Sequence, residues 1–96
     1  MPSPRAYVYI VRCRDGTLYT GTARDIAKRL ALHDAGKGAK YTRSRGPLQL
    51  VWQEGPMTVG RALRREHQLK QLTRVRKEAF IAGTLVLKLP RRRVSG

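Results

Sequence analysis

Two runs rich in β-branched and aromatic residues, AYVYIVRC at 6–13 and TLYTG at 17–21, flank an Asp15-Gly16 turn signal. Such a pair reads as a β-hairpin. The length of its loop decides which side chains share a face, because a one-residue slip in register exchanges the two faces. A two-residue loop at Asp15-Gly16 pairs Arg14 with Thr17 and sets Tyr19 opposite Arg12, leaving Tyr9 on the other face. A three-residue loop, Arg14 to Gly16 with Gly16 left-handed, pairs Cys13 with Thr17 and Val11 with Tyr19. Tyr7, Tyr9, Val11, Cys13, Thr17 and Tyr19 then line one face. We favour the three-residue loop, because Tyr9 and Tyr19 need a common face to act together.

The rest of the chain supplies one more strand and three helices. Thr22 opens the first helix, with Asp25 three residues on as a variant of the capping box. Ile26 and Leu30 recur at i, i+4, Arg29 and His33 form the adjacent stripe, and Gly36 is the expected stop. The segment GKGAKYTRSRGP, 36–47, has four bases and no acid and reads as a phosphate-contacting loop. Alternation of Leu48, Leu50 and Trp52 makes LQLVWQ a third strand, ended by Gly55-Pro56. Thr58 caps a second helix running to about Leu72. Its inward face is Val59, Ala62, Leu63, Leu69 and Leu72; Arg61, Arg64, Arg65 and Gln68 cover the other side. Thr73 caps a short third helix to about Ala82, with Val75, Ala79 and Phe80 inward. TLVLKL, 84–89, reads as either a short strand or a docked extension, and PRRRVSG as a disordered basic tail. The fold class is therefore α+β: a small, mainly antiparallel three-stranded sheet with helices packed against it. The expected organisation is an N-terminal extension at 1–5, one domain at 6–82 and a C-terminal extension at 83–96.

Charge narrows the partner. Among 96 residues, 21 Lys and Arg face 6 acids, for a formal net charge of +15. The excess is spread along the chain, and residues 37–53 carry four bases and no acid. A polyanion is the simplest partner. Ribosomal proteins and thermophile surfaces reach similar charge, so charge says polyanion and not enzyme. No basic amphipathic helix with a Trp or Phe face offers itself to a membrane, so nucleic acid leads. Cys13 is the only cysteine, which excludes an internal disulfide and a cysteine-based zinc site. MPSPRAY carries no apolar signal segment and no apolar run reaches membrane length. The chain is expected to be soluble and cytoplasmic.

The acids allow an argument by elimination. Asp15 sits in a turn, Asp25 and Asp34 flank the first helix, Glu54 follows the third strand, and Glu78 stands among bases. Only Glu66 is a carboxylate on a helix stripe that otherwise buries apolar groups. A charge there is costly unless paired or bound to metal. An ion pair with Arg29 or Lys70 is the competing reading. No two acids are spaced for a two-metal cage, which leaves one divalent ion with an open shell. Arg29 and His33 lie one turn apart. They are either a solvated face or, bordering the Ile26/Leu30 stripe, a charge for a phosphate beside a group that exchanges protons near neutrality. Tyrosines on strands are usually core. With its ordinary pKa near 10 tyrosine is a poor base, and a nearby arginine and metal are expected to lower it.

Together these residues carry a resemblance. The chain resembles the GIY-YIG nuclease superfamily, most of all its small standalone bacterial members, which are similar to the Slx1-type nuclease domain. Tyr7-Val8-Tyr9 stands where the family has Gly-Ile-Tyr, and Tyr19-Thr20-Gly21 where it has Tyr-Ile-Gly. Arg29 follows Tyr19 by ten residues as the family's arginine does, His33 matches its His or Tyr one turn later, and Glu66 matches its metal-binding glutamate. GKGAKYTRSRGP looks like the signature loop of the small members. Tyr7 and Thr20 depart from the two motifs. The asparagine some members place beyond the glutamate has no evident counterpart; Lys70 or Lys77 is the candidate for that place.

The resemblance implies a metal-dependent endonuclease acting on DNA, structured or branched DNA included, in a setting such as DNA repair. By it, Tyr9, Tyr19, Arg29, His33 and Glu66 are catalytic. Tyr9 activates water with Tyr19 or His33 aiding it, Arg29 faces the phosphate, and Glu66 holds one Mg²⁺ or Mn²⁺. Lys37, Lys40, Arg43, Arg45 and Lys70 grip the nucleic acid, DNA in preference to RNA. No separate recognition segment is evident, which implies low sequence specificity or a targeting protein partner. The rivals are a DNA- or RNA-binding module of nuclease-like fold that does not cut, and a ribosome-associated structural protein, which leaves Glu66 unexplained.

Overall fold

The computed structural model describes residues 5–35 and 47–89. Three strands, β1 (Arg5–Arg12), β2 (Leu18–Ala23) and β3 (Gln49–Thr58), form one antiparallel sheet in the order β2-β1-β3. The hairpin has the three-residue loop. Val11 pairs with Tyr19, the Cys13 amide donates to the Thr17 carbonyl at 2.8 Å, and Gly16 takes a φ of 86°. That left-handed backbone is open to glycine at no steric cost.

Being central, β1 is packed on both faces, and Val8, Tyr9, Ile10 and Val11 are all buried. Alternation sends them two ways. Val8 and Ile10 join Ala62, Leu69 and Phe80 of the second and third helices. Tyr9 and Val11 join Ala23 and Ile26, with Leu30 of the first helix against them. The helices α1 (Ile26–Asp34), α2 (Val59–Lys70) and α3 (Arg74–Ile81) thus sandwich the sheet, α1 on one face and the other two opposite. Both α1 and α2 lie against β2, the edge strand, so side chains from the two layers can meet around that edge.

Several expectations shift. The first helix starts at Ile26 under an Asp25 cap, whose carboxylate accepts from the Lys28 amide at 3.0 Å; Thr22 remains in β2, where it pairs with Val8. Cross-strand pairing outcompeted the capping box. Gly36 lies outside the described residues. The third strand runs through Gly55-Pro56 to Thr58. An edge strand tolerates a proline at a bulge, and Tyr7 of β1 stands opposite the two residues Gly55 and Pro56. Glu54 therefore lies within β3. A second irregularity, Ile10↔Trp52 followed by Val11↔Leu50, leaves Val51 as the extra residue. The bulge resets the alternation: Leu48 and Leu50 face α1, whereas Trp52 faces α3 and packs on Phe80 at 4.9 Å between ring centroids.

On α2, capped by Thr58 as expected, Leu63 is exposed and Arg65 is buried instead. Arg65 donates to both Glu54 carboxylate oxygens at 2.9 and 3.0 Å, to Gln68 Oε1 and to the Leu87 carbonyl, and lies over the Phe80 ring. A guanidinium satisfied on every side can occupy an inward position that apolar counting assigns to leucine. On α3, capped by Thr73, Phe80 is inward but Val75 is exposed. Residues 84–89 form no strand; they are a docked extension, with Leu85 and Leu87 against the core and the Leu87 and Lys88 carbonyls bonded to Arg65 and Gln68. Thr20 fills an apolar place in β2, buried with its hydroxyl unpaired among the described residues.

Candidate active site

The hairpin register aims Tyr9 across β2. Its cross-strand partner is Gly21. A Cβ on Gly21 would stand 2.7 Å from the Tyr9 hydroxyl, 2.9 Å from its ring carbon Cζ and 3.1 Å from Tyr19 Cε2. Only a residue without a side chain lets the phenol lie across the edge strand between Tyr19 and the helix. The Tyr9 hydroxyl there meets His33 Nε2 at 3.2 Å. The Tyr19 ring packs against both, its centroid 6.5 Å from Tyr9 and 5.8 Å from His33 in an edge-to-face arrangement.

His33 occupies the last turn of α1 and is 3% exposed; Tyr9 is 1% exposed. Arg29, one turn earlier on α1, is exposed. Its charge reaches both buried groups, lowering the pKa of each. Burial dominates the titration. It pushes the Tyr9 phenol up to about 12, aided by Tyr19 and by the negative charge of Glu66 and opposed by Arg29. It holds His33 below its ordinary 6.5, with Arg29 acting the same way and Asp34 against it. Arg29 acts on Tyr9 in the expected direction, but, the expected metal aside, its effect is smaller than that of burial, and the phenol stays above its ordinary value. At pH 7 the pair is phenol and neutral imidazole. With the ring proton on Nδ1, Nε2 accepts the phenolic hydrogen.

Glu66 stands on α2, its side chain 19% exposed, paired with Lys70 at 3.4 Å. Its charge acts on the Tyr9 hydroxyl. No three His, Cys, Asp or Glu side chains gather among the described residues. A lone hard carboxylate fits Mg²⁺ or Mn²⁺, which accept one protein carboxylate and complete their shell with water and substrate phosphate oxygens. It does not fit a zinc centre. Lys70 is half-exposed and bound to Glu66. Lys77 on α3 is partly buried near Lys70, and both effects lower its pKa. Lys37, Lys40, Arg43 and Arg45 lie outside the described residues.

Residues 5–79 match the family model described as the GIY-YIG catalytic domain. The chain belongs to the GIY-YIG family. Among its relatives, a UPF0213 protein of Staphylococcus saprophyticus is 51% identical over 76 residues, covering 79% of this chain and 93% of that one. A UPF0213 protein of Natronomonas pharaonis is 49% identical over 79% of this chain and 89% of its own. The solution NMR structure of a UPF0213 protein from Bacillus halodurans shares 44% identity and superposes with a TM-score of 0.55, over 81% of this chain and 83% of that one. That of a protein from E. faecalis shares 34% identity with a TM-score of 0.59, over 86% and 90%. The GIY-YIG fold of this chain is thus nuclease-like, built on a three-stranded antiparallel sheet. No described helix is long and apolar enough to cross a membrane.

Sequence reasoning missed the part played by Gly21. It placed the residue in the second motif without asking what the glycine faces. The signal was available: the three-residue loop that pairs Val11 with Tyr19 also pairs Tyr9 with Gly21.

Proposed function

We propose that this GIY-YIG domain is a metal-dependent endonuclease that hydrolyses phosphodiester bonds in DNA, with structured or branched DNA among its substrates. The observation that carries the reading is the buried Tyr9–His33 hydrogen bond, flanked by Tyr19 and felt by the opposite charges of Arg29 and Glu66. Two pKa values so far apart make a free phenolate expensive, since each unit of separation costs about 1.4 kcal/mol. Tyr9 therefore acts as a relay. Attacking water gives a proton to the Tyr9 oxygen as the Tyr9 hydroxyl passes its own to His33 Nε2. The water oxygen bonds to phosphorus, the bond to the leaving oxygen breaks, and His33 ends as imidazolium. Arg29 receives the phosphate charge, and that incoming anion offsets the smaller, coulombic part of the lowering of His33, while the larger part, due to burial, remains. Glu66 holds Mg²⁺ or Mn²⁺, which supplies charge neutralisation at the phosphate and leaving oxygen. Lys70, with Lys37, Lys40, Arg43 and Arg45, grips the backbone.

A second reading, a nuclease-like module that binds without cutting, draws on one observation: Lys70 already neutralises Glu66. A nicking assay with Mg²⁺, Mn²⁺ or EDTA on wild type and Glu66→Ala separates the two. Wild type is expected to nick with metal. Glu66→Ala is expected to bind DNA in EDTA, fail to nick, and melt within about 0.5 kcal/mol of wild type, because its partner Lys70 is 51% exposed. Cutting by the folded variant removes Glu66 from the mechanism; a wild type that binds and never cuts leaves the binding module.

A further inference from the structure

Beside the hairpin loop, on the sheet face that α2 and α3 cover, lies an open pocket of about 230 Å³ lined by Thr17, Leu18, Leu72, Arg74 and Lys77. Leu18 and Tyr19 are consecutive on β2, so their side chains leave the edge strand in opposite directions. Tyr19 joins the cluster under α1, and Leu18 joins Leu72 in the cluster under α2 and α3. The pocket and the Tyr9 site therefore flank the same edge strand from its two sides.

The acids near the pocket are already engaged. Glu78, the one acid of α3, accepts from both terminal nitrogens of Arg12 at 2.7 and 2.8 Å. The Asp15 carboxylate is held within the loop by the amide and hydroxyl of Thr17. Arg74 is fixed by the Gly16 carbonyl at 2.9 Å, with the Glu78 carboxylate at 3.7 Å. Lys77 is left half-buried, and among the described residues it forms no ion pair. Burial and the charge of Lys70 both act against its ammonium. Snorkelling over Leu18 and Leu72 accounts for the lysine stem, but not for a second ammonium close to a half-buried first. An anion between them relieves both the burial and the repulsion. A phosphodiester is such an anion, and lysine and arginine are the side chains that take it.

We propose that Lys77, with Arg74 and Lys70 beside it, forms a second phosphate subsite on the opposite face of the sheet from Arg29, so that DNA straddles the β2 edge and is held by a phosphate on each side. The subsite rests on the DNA-binding reading of the Tyr9 site, but its test needs no cleavage. Binding to duplex DNA is measured in EDTA by anisotropy over a series of salt concentrations. Lys77→Met keeps the stem over Leu18 and Leu72 and removes the charge. It is expected to make the slope of log K against log salt shallower by about 0.9, the value of one phosphate, while Lys77→Arg keeps the wild-type slope. In wild type, independently of any variant, saturating duplex DNA is expected to suppress acetylation of Lys77 by N-hydroxysuccinimidyl acetate, read by mass spectrometry. An unchanged slope in Lys77→Met, or equal acetylation of Lys77 with and without DNA, overturns the subsite and leaves the Tyr9 site standing. Protection of Lys77 in a protein that binds and never nicks keeps the subsite and loses only the nuclease reading. A wild type that binds no duplex overturns both.

Discussion

Tyr9 and His33 share one hydrogen bond and shift in opposite directions, and pH reads both. His33 lies below 6.5 in the folded chain, so below that value the unfolded state binds a proton the folded state refuses. Its contribution to stability is present above pH 6.5 and is lost as pH falls. Tyr9 is the reverse: the folded state keeps its proton from pH 10 to about 12 while the unfolded state releases it, so stability is lost as pH rises through that window. The stability difference between wild type and Tyr9→Phe should therefore stay constant with pH up to about 10 and change above it, with wild type losing more as pH rises. The kcat/KM for nicking should rise with pH to a plateau whose midpoint lies below 6.5, the side to which burial moves His33 in the free enzyme; a rate still climbing toward pH of about 12 would make Tyr9 itself the base. Gly21 supports the same pair by having no side chain. Gly21→Ala forces a methyl to within 2.7 Å of the buried Tyr9 hydroxyl, an overpacking that costs about 1–3 kcal/mol. The variant should melt lower, remain folded, and nick at least 100-fold more slowly; an unchanged nicking rate would show that the phenol can move without consequence.

Among the elements, α2 does two jobs with neighbouring residues. Ala62 and Leu69 press on the sheet, Glu66 is proposed to serve the candidate site, and the buried Arg65 ties Glu54 of β3, Gln68 and the extension through Leu87 into one part-buried knot. Removing the arginine leaves Glu54 and the Leu87 carbonyl without it and takes away the cover over Phe80. Arg65→Ala should cost on the order of 3 kcal/mol. Limited proteolysis should then cut within residues 84–89 faster than in wild type. A variant with lowered melting temperature and an unaltered cleavage pattern would mean that Leu85 and Leu87 hold the extension by packing alone.

At the scale of the whole molecule, the net charge of +15 sets how the protein meets a polyanion. If about five phosphates are neutralised, log K against log salt on duplex DNA should fall with a slope of about −4 to −5. Replacing Lys40, Arg43 and Arg45 by Ala should flatten that slope. An unchanged slope would move the contact surface away from the 36–47 segment, toward Arg24 and the bases of α2 and α3.

The strand pair and the Thr58 and Thr73 caps were legible in the sequence because each rests on interactions between residues close in the chain. The separation of Arg29 and His33 by one helical turn was legible for the same reason. Asp15-Gly16 allowed two loop lengths, and the three-residue one was preferred only because Tyr9 and Tyr19 need a common face, a choice the pairing of Val11 with Tyr19 bears out. Tertiary contact decided the rest. Whether Leu50 and Trp52 share a face depended on a bulge at Val51, which appears only when β3 is laid on β1. Arg65 is inward because Glu54, Gln68 and Leu87 converge on it from three other parts of the chain. The sign of the Tyr9 shift depended on how deeply the phenol is buried against how near Arg29 stands, a balance of desolvation and Coulomb energy that exists only once α1 has docked on β2.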